Sequence, residues 1–194
     1  MAQLGARLNG IQKVRGSNPL GSTNRLQPRG DALLPNLSLL LRNLAFTVVV
    51  PGTVSVLVPY LILGDGGHPP HPVGWPGLVL IAAGLALYGW CMWLFATVGR
   101  GTPGPWDAPR RLVVAGPYRW VRNPIYVGVL LVILGEAWLF GSWSLLIYAA
   151  GAAVFFHLAV LAYEEPTLRA SFPADYEDYF RTVHRWIPRP PGPA

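Results

Sequence analysis

The chain has 194 residues, enough for one domain, and 52% of them are hydrophobic whereas only 12% are charged. A soluble domain carries about 25% charged residues, so this composition argues for a membrane protein. Cys91 is the single cysteine, which excludes an intrachain disulfide and a cysteine-based metal cluster. The formal net charge of +6 would suit a nucleic-acid-binding protein, but the distribution of the charges along the chain argues against that partner.

Residues 1–36 form a polar segment that is rich in Gly, Asn, Arg and Pro and has no sustained apolar periodicity. This composition predicts a disordered segment, and the apolar core of a secretory signal is missing from it. The stretch VRGSNPLGSTNR within it also looks like the translation of a transfer-RNA gene, which offers a mis-assigned start as a second interpretation. Residues 37–194 are predicted to form a single membrane domain.

Four apolar segments follow, at residues 44–63, 76–98, 124–140 and 144–163. Because a membrane span needs about 20 apolar residues, these segments predict an all-α integral membrane protein with four transmembrane helices. Beyond the last span, apolar residues recur at helical spacing, which predicts a C-terminal amphipathic helix that lies along the membrane interface. These residues are Leu168, Phe172, Tyr176, Phe180 and Val183.

Lysines and arginines, 15 in all, lie in three parts of the chain: before residue 44, between residues 98 and 124, and after residue 163. The connections 64–75 and 141–143 contain none. With four spans, the three basic regions fall on one side of the membrane and the two other connections fall on the opposite side. The positive-inside rule then predicts a multi-pass protein whose termini and 99–123 loop are cytoplasmic.

His68 and His71 lie three residues apart in the connection between the first two spans, with two prolines between them. A metal site needs more ligands than this pair offers, and the prolines favour an ordinary turn. We therefore predict no metal site.

The cytoplasmic loop begins with GRGTPG (residues 99–104), which fits the GxGxxG pattern of dinucleotide-binding folds. That pattern needs a strand before it and a helix after it, whereas this copy follows a predicted span and contains Pro103, with Pro105 next to it. We interpret Gly99 and Gly101 instead as positions where the backbone comes close to a ligand and offers free N–H groups.

The same loop ends with GPYRWVRNPIY (residues 116–126), which runs directly into the third apolar segment. Gly116-Pro117 predicts a turn, and Asn123-Pro124 predicts the start of a helix that is capped by the asparagine. Arg119 and Arg122 are three residues apart and would face the same side of a helical turn. Taken alone, the block is typical of a membrane-surface anchor.

The fourth apolar segment contains His157 and ends at Glu164 and Glu165. An ionisable residue inside a span is costly and therefore a candidate for function, the alternative being a histidine that is bonded to a neighbouring helix. On a regular α-helix, Glu164 lies about 20° from the direction of His157 and Glu165 about 80° from it. We therefore expect Glu164 to share the His157 face and Glu165 to pair with Arg119 or Arg122.

Small residues lie on one face of the third span, at Gly128 and Gly135, and in the fourth span at residues 149–153. Because small residues let membrane helices approach closely, we expect these two faces to pack together.

Three blocks of the sequence, in this order, carry a resemblance to known proteins: GRGTPGPWDAP (99–109), GPYRWVRNPIYVG (116–128) and EEPTLRASFPADYEDYFRTVHRWIPR (164–189). Together they resemble the integral-membrane methyltransferases that include isoprenylcysteine carboxyl methyltransferase and the phospholipid N-methyltransferases. The resemblance covers about half the chain. It implies transfer of a methyl group from S-adenosylmethionine to a lipophilic acceptor, either a prenylcysteine-like carboxylate or a lipid amine, at the cytoplasmic membrane face.

The resemblance also implies the residues of the site. Arginine would suit the carboxylate of the cofactor, an acidic residue its ammonium or ribose, and aromatic faces its adenine or sulfonium. The expected cofactor-binding residues are Gly99, Gly101, Gly116, Pro117, Tyr118, Arg122, Asn123, Tyr126, Glu164 and Glu165. The expected catalytic residues are Glu164, His157 and Arg185. The expected partners are a lipophilic small molecule or lipid as substrate and the membrane lipids, with no nucleic acid and no obligate protein partner.

Carboxyl methyltransferases of this superfamily carry Arg-His-Pro where this chain has Arg122-Asn123-Pro124. Because asparagine does not titrate, we expect no general base at that position, whereas binding roles for Arg122 and Tyr126 are kept. An amine acceptor needs a base, and either a glutamate or His157 would serve.

Two other classes of protein stay open. A sterol-type membrane reductase that uses NADPH has a related helical layout and a similar Arg-His-Pro-Asn-Tyr block, but Ile125 stands where that block has its asparagine. A non-enzymatic membrane scaffold would bind no cofactor. Titration of the purified protein with S-adenosylhomocysteine and with NADPH separates all three classes.

The predicted topology has a direct test by cysteine labelling in a Cys91→Ala background. His71→Cys should react with a membrane-impermeant thiol reagent in intact cells, because the connection 64–75 is predicted to lie outside. The matched variant Arg111→Cys, in the basic loop, should react only after permeabilisation. Labelling at position 71 that also requires permeabilisation would refute the orientation.

Overall fold

The structure is a computed structural model, and it describes residues 37–64, 69–104 and 109–188. These residues form helices and no strand, as the sequence predicts. Three helical stretches are long and apolar enough to cross a membrane: Leu37–Leu63, Trp75–Gly99 and Trp143–Ser171. The predictions made for residues 1–36, for His68 and for Pro105 lie outside the described residues.

The regular α-helices are α1 Leu37–Val49, α2 Val58–Leu63, α3 Trp75–Leu94, α4 Pro124–Phe140, α5 Trp143–Ala159, α6 Glu165–Ser171 and α7 Pro173–Thr182. Within the described ranges, π-helical segments at Thr53–Leu57, Phe95–Gly99 and Val160–Glu164 continue the three long stretches, and a 3-10 turn covers Gly116–Arg119. The π segment Phe95–Gly99 ends at the first residue of the GRGTPG stretch, and the π segment Val160–Glu164 ends at the first of the two adjacent glutamates.

Helix α2 has Pro59 in its first turn, directly after the π segment Thr53–Leu57. In a π turn, the residue at position 59 would donate its N–H to the Val54 carbonyl five residues earlier, but proline has no N–H. The Tyr148 hydroxyl of α5 donates to that carbonyl instead, at 2.7 Å. Thus α5 satisfies a backbone group that the membrane itself could not satisfy.

Helices α3 and α4 pack against each other in antiparallel order through paired glycines. Gly84 faces Gly128, and Gly77 faces Gly135. A Cβ atom added at Gly84 would lie 2.5 Å from the Gly128 carbonyl oxygen and 2.9 Å from Cγ2 of Val132. The two backbones therefore touch, which only glycine permits.

This contact corrects the expected partner of the glycine face, because Gly128 and Gly135 pack on α3 rather than on residues 149–153. The small residues Ala149 and Ala152 of α5 pack instead against a different face of α4, where they meet Val129 and Ile133. The physical reason is side-chain size. Paired glycines let α3 and α4 approach closely, whereas the alanines of α5 leave room for the branched side chains of Val129 and Ile133 on α4.

Helix α7 follows α6 after a break at Phe172, and it presents Tyr176 and Tyr179 to the interior of the protein. Val183, just after the helix, joins them in one buried cluster. Charged residues of the helix are exposed, among them Asp175 and Arg181. The chain that leaves α7 is thereby held close to the 116–123 segment.

The glycine contact predicts a clear difference between two substitutions in α3. Gly84→Ala should lower the melting temperature of the detergent-purified protein, because overpacking of a close contact costs about 1–3 kcal/mol. Gly89→Ala is the matched control in the same helix, since a Cβ there would meet nothing within 4 Å. Equal melting temperatures for the two variants would contradict the close approach of α3 and α4.

Candidate active site

The last π segment decides which of the two adjacent glutamates points inward. The Glu165 N–H bonds to the carbonyl of Val160, five residues earlier, instead of four. Buried positions along this stretch run through Phe156 and Val160, and the extra residue brings Glu165 into line with them. Glu165 is accordingly only 6% exposed, whereas Glu164 is partly exposed. On a regular helix, Glu164 would share the His157 face and Glu165 would lie about 80° away from it, whereas the π turn makes Glu165 the more buried of the two.

Glu165 is the centre of a buried ion-pair network. Its carboxylate accepts hydrogen bonds from Nε and Nη2 of Arg185, at 2.7 and 3.0 Å. Nη2 of Arg122 lies 3.3 Å from the same carboxylate, and the side chains of Arg122 and Glu165 are each 8% exposed. The expected pair with Arg122 is therefore present, while Arg119, the other arginine considered, is exposed.

Arg122 has donors left over after it pairs with Glu165. Its guanidinium lies over the ring of Phe180, 4.1 Å from the centroid, and its backbone N–H donates to the His184 carbonyl. Its Nε and Nη1 atoms are buried and have no hydrogen-bond acceptor. A buried donor without an acceptor costs about 1–3 kcal/mol, and an anionic group such as a carboxylate would remove that cost.

Glu164 has a different partner, the hydroxyl of Tyr126, which donates to its Oε1 atom. The Tyr126 ring stacks on Phe156 with 4.5 Å between centroids, and the Trp186 ring is 6.4 Å away. Three aromatic rings and a carboxylate therefore meet at the beginning of α4.

Tyr118 lies deep in the same region, where its ring contacts Phe95 edge-on. Burial raises the pKa of the Tyr118 phenol well above its ordinary value, and Cys91, Tyr179 and the Glu164 carboxylate add to the effect. The phenol therefore keeps its proton at neutral pH and acts as a hydrogen-bond donor. The Tyr118 carbonyl accepts from the Tyr179 hydroxyl at 2.8 Å, which ties this turn to α7.

His157 is bonded to the C-terminal segment. The indole Nε1 of Trp186 donates to Nδ1 of His157 at 3.0 Å. Since an indole N–H only donates, Nδ1 must carry a lone pair in this arrangement. His157 is therefore a bonded histidine, but its partner lies in the C-terminal segment after α7 rather than on a neighbouring helix.

Asn123 precedes α4 as expected, but its side chain does not cap the helix. Its Nδ2 donates to the Arg185 carbonyl at 3.1 Å. The capping prediction is therefore wrong. The reason is that a distant segment offers the amide a better-placed acceptor, so Asn123 joins the start of α4 to the C-terminal chain.

Gly116 has φ +55°, a conformation that favours glycine, and begins the 3-10 turn. A Cβ there would lie 3.0 Å from Cδ1 of Leu94 and 3.1 Å from the Trp90 ring. Pro117, the next residue, is buried. This turn is packed against the end of α3, and its glycine is required for that packing.

Gly99 ends the π segment that continues α3, and it approaches its own chain closely. A Cβ there would lie 3.0 Å from Cγ2 of Val113, and the Gly99 carbonyl accepts the Arg110 N–H at 2.9 Å. The Gly101 N–H donates to the Phe95 carbonyl at 3.2 Å. The expectation that this N–H is free for a ligand is therefore wrong, because the loop folds back to satisfy the last carbonyls of its own helix.

The expected residues fall into two groups. The first group is joined by the contacts just described and comprises Tyr118, Arg122, Asn123, Tyr126, His157, Glu164, Glu165 and Arg185. The second group shapes the 99–123 loop next to the first group, and it comprises Gly99, Gly101, Gly116 and Pro117. Sequence reasoning missed the aromatic partners Phe156 and Phe180 and the hydrogen bond made by Trp186, although Phe180 and Trp186 lie within the third block of the resemblance.

Comparison with known families agrees with the resemblance seen in the sequence. Residues 73–175, just over half of the chain, match the phospholipid methyltransferase family. The matched residues contain the GRGTPG stretch (residues 99–104, the glycine loop), the 116–126 block and both glutamates. No curated protein and no solved structure matches the chain. The chain thus belongs to the phospholipid methyltransferase family, part of the integral-membrane methyltransferase superfamily.

Proposed function

We propose that this protein transfers a methyl group from S-adenosylmethionine to the amine of a lipid, at the cytoplasmic end of a four-span helical bundle. The observation that carries the proposal is the pair of adjacent glutamates with separate partners. Glu165 is held by two arginines, and Glu164 is held by Tyr126 at the beginning of α4. Glu165 would therefore have a structural role, and Glu164 would be available as a catalytic group.

The residues present fit the proposed cofactor. Arg122 has two buried donor atoms without acceptors, which suit the carboxylate of the methionyl group. The Glu164 carboxylate suits an ammonium or a ribose hydroxyl, and the ring of Tyr126 suits a sulfonium or an adenine. S-adenosylmethionine, when bound, supplies a methyl group that is already activated on sulfur, so the protein mainly aligns the reactants and excludes water.

An apolar groove supports a lipid acceptor. It has a volume of about 530 Å³ and runs between α4 and α5, where leucines of α4 face Ala153 and Val154. His157 and Trp186 also line it, and Trp186 contacts Tyr126. A hydrocarbon chain in this groove would therefore bring its polar end toward the Tyr126–Glu164 pair.

An amine acceptor favours Glu164 as the general base. A lipid ammonium must lose a proton before its nitrogen attacks a methyl group, and a carboxylate acceptor needs no such step. The Nδ1 atom of His157 is occupied by Trp186, whereas the second carboxylate oxygen of Glu164 is left for the proton. Tyr126 would hold the carboxylate in position, and Arg185 would act through Glu165 as a positioning residue.

The four-span arrangement rests on the packing of α4. With 17 residues it is shorter than the three long stretches and extends about 25 Å, somewhat less than the apolar thickness of a bilayer. It nevertheless lies along α3 through both glycine pairs and is separated from α5 by only Gly141 and Ser142. Together with the positive-inside rule, this favours both termini and the site in the cytoplasm, with α7 along the interface.

The family match favours this proposal over a sterol-type reductase. A non-enzymatic scaffold would give no physical reason for the buried, unpaired donors of Arg122.

The two glutamates predict opposite phenotypes. Glu164→Gln should reduce methyl transfer to phosphatidylethanolamine in mixed micelles by about 10²–10⁴-fold, the contribution typical of a general base. Its melting temperature should stay near that of the wild type, because the amide oxygen still accepts from Tyr126. Glu165→Gln should lower the melting temperature strongly, since breaking a buried ion pair costs about 3–5 kcal/mol. An active Glu164→Gln protein beside a stable but inactive Glu165→Gln protein would reverse the two roles.

The groove predicts a substrate-specific effect. Ala153→Phe should fill it and raise the KM for a long-chain lipid amine by about tenfold, which corresponds to about 1.4 kcal/mol of lost binding. Binding of S-adenosylhomocysteine should not change. Ala150→Phe, an exposed position on the same helix, is the control and should leave the KM unaltered. An unchanged KM in Ala153→Phe would place the hydrocarbon chain elsewhere.

A further inference from the structure

Helix α1 lies outside the residues that match the family, yet its inward face carries polar residues. Leu39 and Asn43, four residues apart, are buried, and Thr47 continues the same face. Leucines between them, such as Leu40 and Leu44, are exposed, as expected for a helix that faces lipid. A polar side chain that turns toward the bundle interior from a membrane helix is a candidate for function.

Asn43 joins α1 to the glycine loop. Its Nδ2 atom donates to the Leu39 carbonyl at 3.1 Å and to the Gly101 carbonyl at 3.3 Å. Both partners are acceptors only, so this atom must be the nitrogen and the other must be the oxygen. The orientation of the amide is thereby fixed by its surroundings.

The oxygen of the same side chain has no partner. Asn43 is 5% exposed, and its Oδ1 atom is buried without any hydrogen bond. A buried acceptor that neither protein nor solvent satisfies is costly, and native structures contain few of them. Because Leu39 and Gly101 occupy the nitrogen of the amide, the oxygen is the atom left for a hydrogen-bond donor.

We propose that Asn43 is a ligand-binding residue of the methyltransfer site, whose Oδ1 atom accepts a hydrogen bond from an ammonium or a hydroxyl group of the bound S-adenosyl compound. This inference rests on the proposed function. The glycine loop adjoins the site, because Gly99 packs on Val113, and Val113 belongs to the same buried cluster as Tyr118. Helix α1 would thus complete a site whose other residues come from the rest of the bundle.

The experiment compares three variants by calorimetric titration with S-adenosylhomocysteine, with melting temperatures measured in parallel. Asn43→Leu removes both the oxygen and the bond to Gly101 and should weaken binding by about tenfold, the effect of one lost hydrogen bond to a polar ligand. Asn43→Asp keeps an acceptor oxygen and loses the bond to Gly101, so it should bind at least five times more tightly than Asn43→Leu, by the same reasoning. Thr47→Val, one turn further along, removes the hydrogen bonds of the Thr47 hydroxyl to the Asn43 backbone carbonyl and to Tyr88 but keeps the Asn43 side chain, and it should leave affinity unchanged.

A second ligand identifies the group that Asn43 contacts. 5′-Methylthioadenosine keeps the ribose and adenine but lacks the ammonium and carboxylate. If Asn43→Leu weakens only the binding of S-adenosylhomocysteine, the partner is the ammonium; if it weakens both ligands equally, the partner is on the nucleoside. Both results support an acceptor role for Asn43.

Two outcomes would overturn the inference, and a third concerns the proposed function. Wild-type affinity in Asn43→Leu would show that the oxygen meets no ligand. Equal losses in Asn43→Leu and Asn43→Asp would show that Asn43 only holds the loop through Gly101. Absence of binding to the wild-type protein would instead refute the proposed function, on which the inference depends.

Discussion

Glu165 holds separate parts of the chain together, because its buried carboxylate forms an ion pair with Arg122, ahead of α4, and accepts hydrogen bonds from Arg185, after α7. Neither the carboxylate nor Arg122 reaches bulk water, so each needs the other, and loss of one partner would leave an uncompensated buried charge. The amide of Asn123 and the backbone N–H of Arg122 add two further bonds to the same C-terminal segment. These contacts form a junction of Glu165, the residues before α4 and the C-terminal segment.

Irregular helix geometry turns Glu165 toward that junction. The π segments Phe95–Gly99 and Val160–Glu164 lie at the ends of long apolar helices, directly before the glycine loop and the glutamate pair. A π turn inserts one residue and so rotates everything that follows it. The regular parts of these helices can therefore keep their apolar packing, while Glu165 turns inward and Glu164 turns to a separate partner.

The two adjacent carboxylates lie in different surroundings. A carboxylate inside an ion-pair network is poorly placed to accept a proton, whereas Glu164 is bonded only to the hydroxyl of Tyr126 among its described contacts. Phe156 and Trp186 pack around that tyrosine, and their rings lower the local polarity, which under the proposed function would strengthen the attraction between the Glu164 carboxylate and a cationic substrate. The apolar groove beside His157 and Trp186 connects this polar pair with the hydrocarbon side of the bundle.

The sequence by itself determined the helical class, the approximate positions of the three long apolar stretches and the family, because composition, apolar run length and motif order are local properties. It also predicted that Glu165 pairs with an arginine, but it left Arg119 and Arg122 as alternatives. Tertiary structure alone decided the partner of the Gly128 face, the acceptor of the Asn123 amide and the direction of each glutamate. The first two depend on which distant backbone approaches. The third could not be read from periodicity, because a rotation of 100° per residue holds for a regular α-helix, and the π turn before Glu165 changes it.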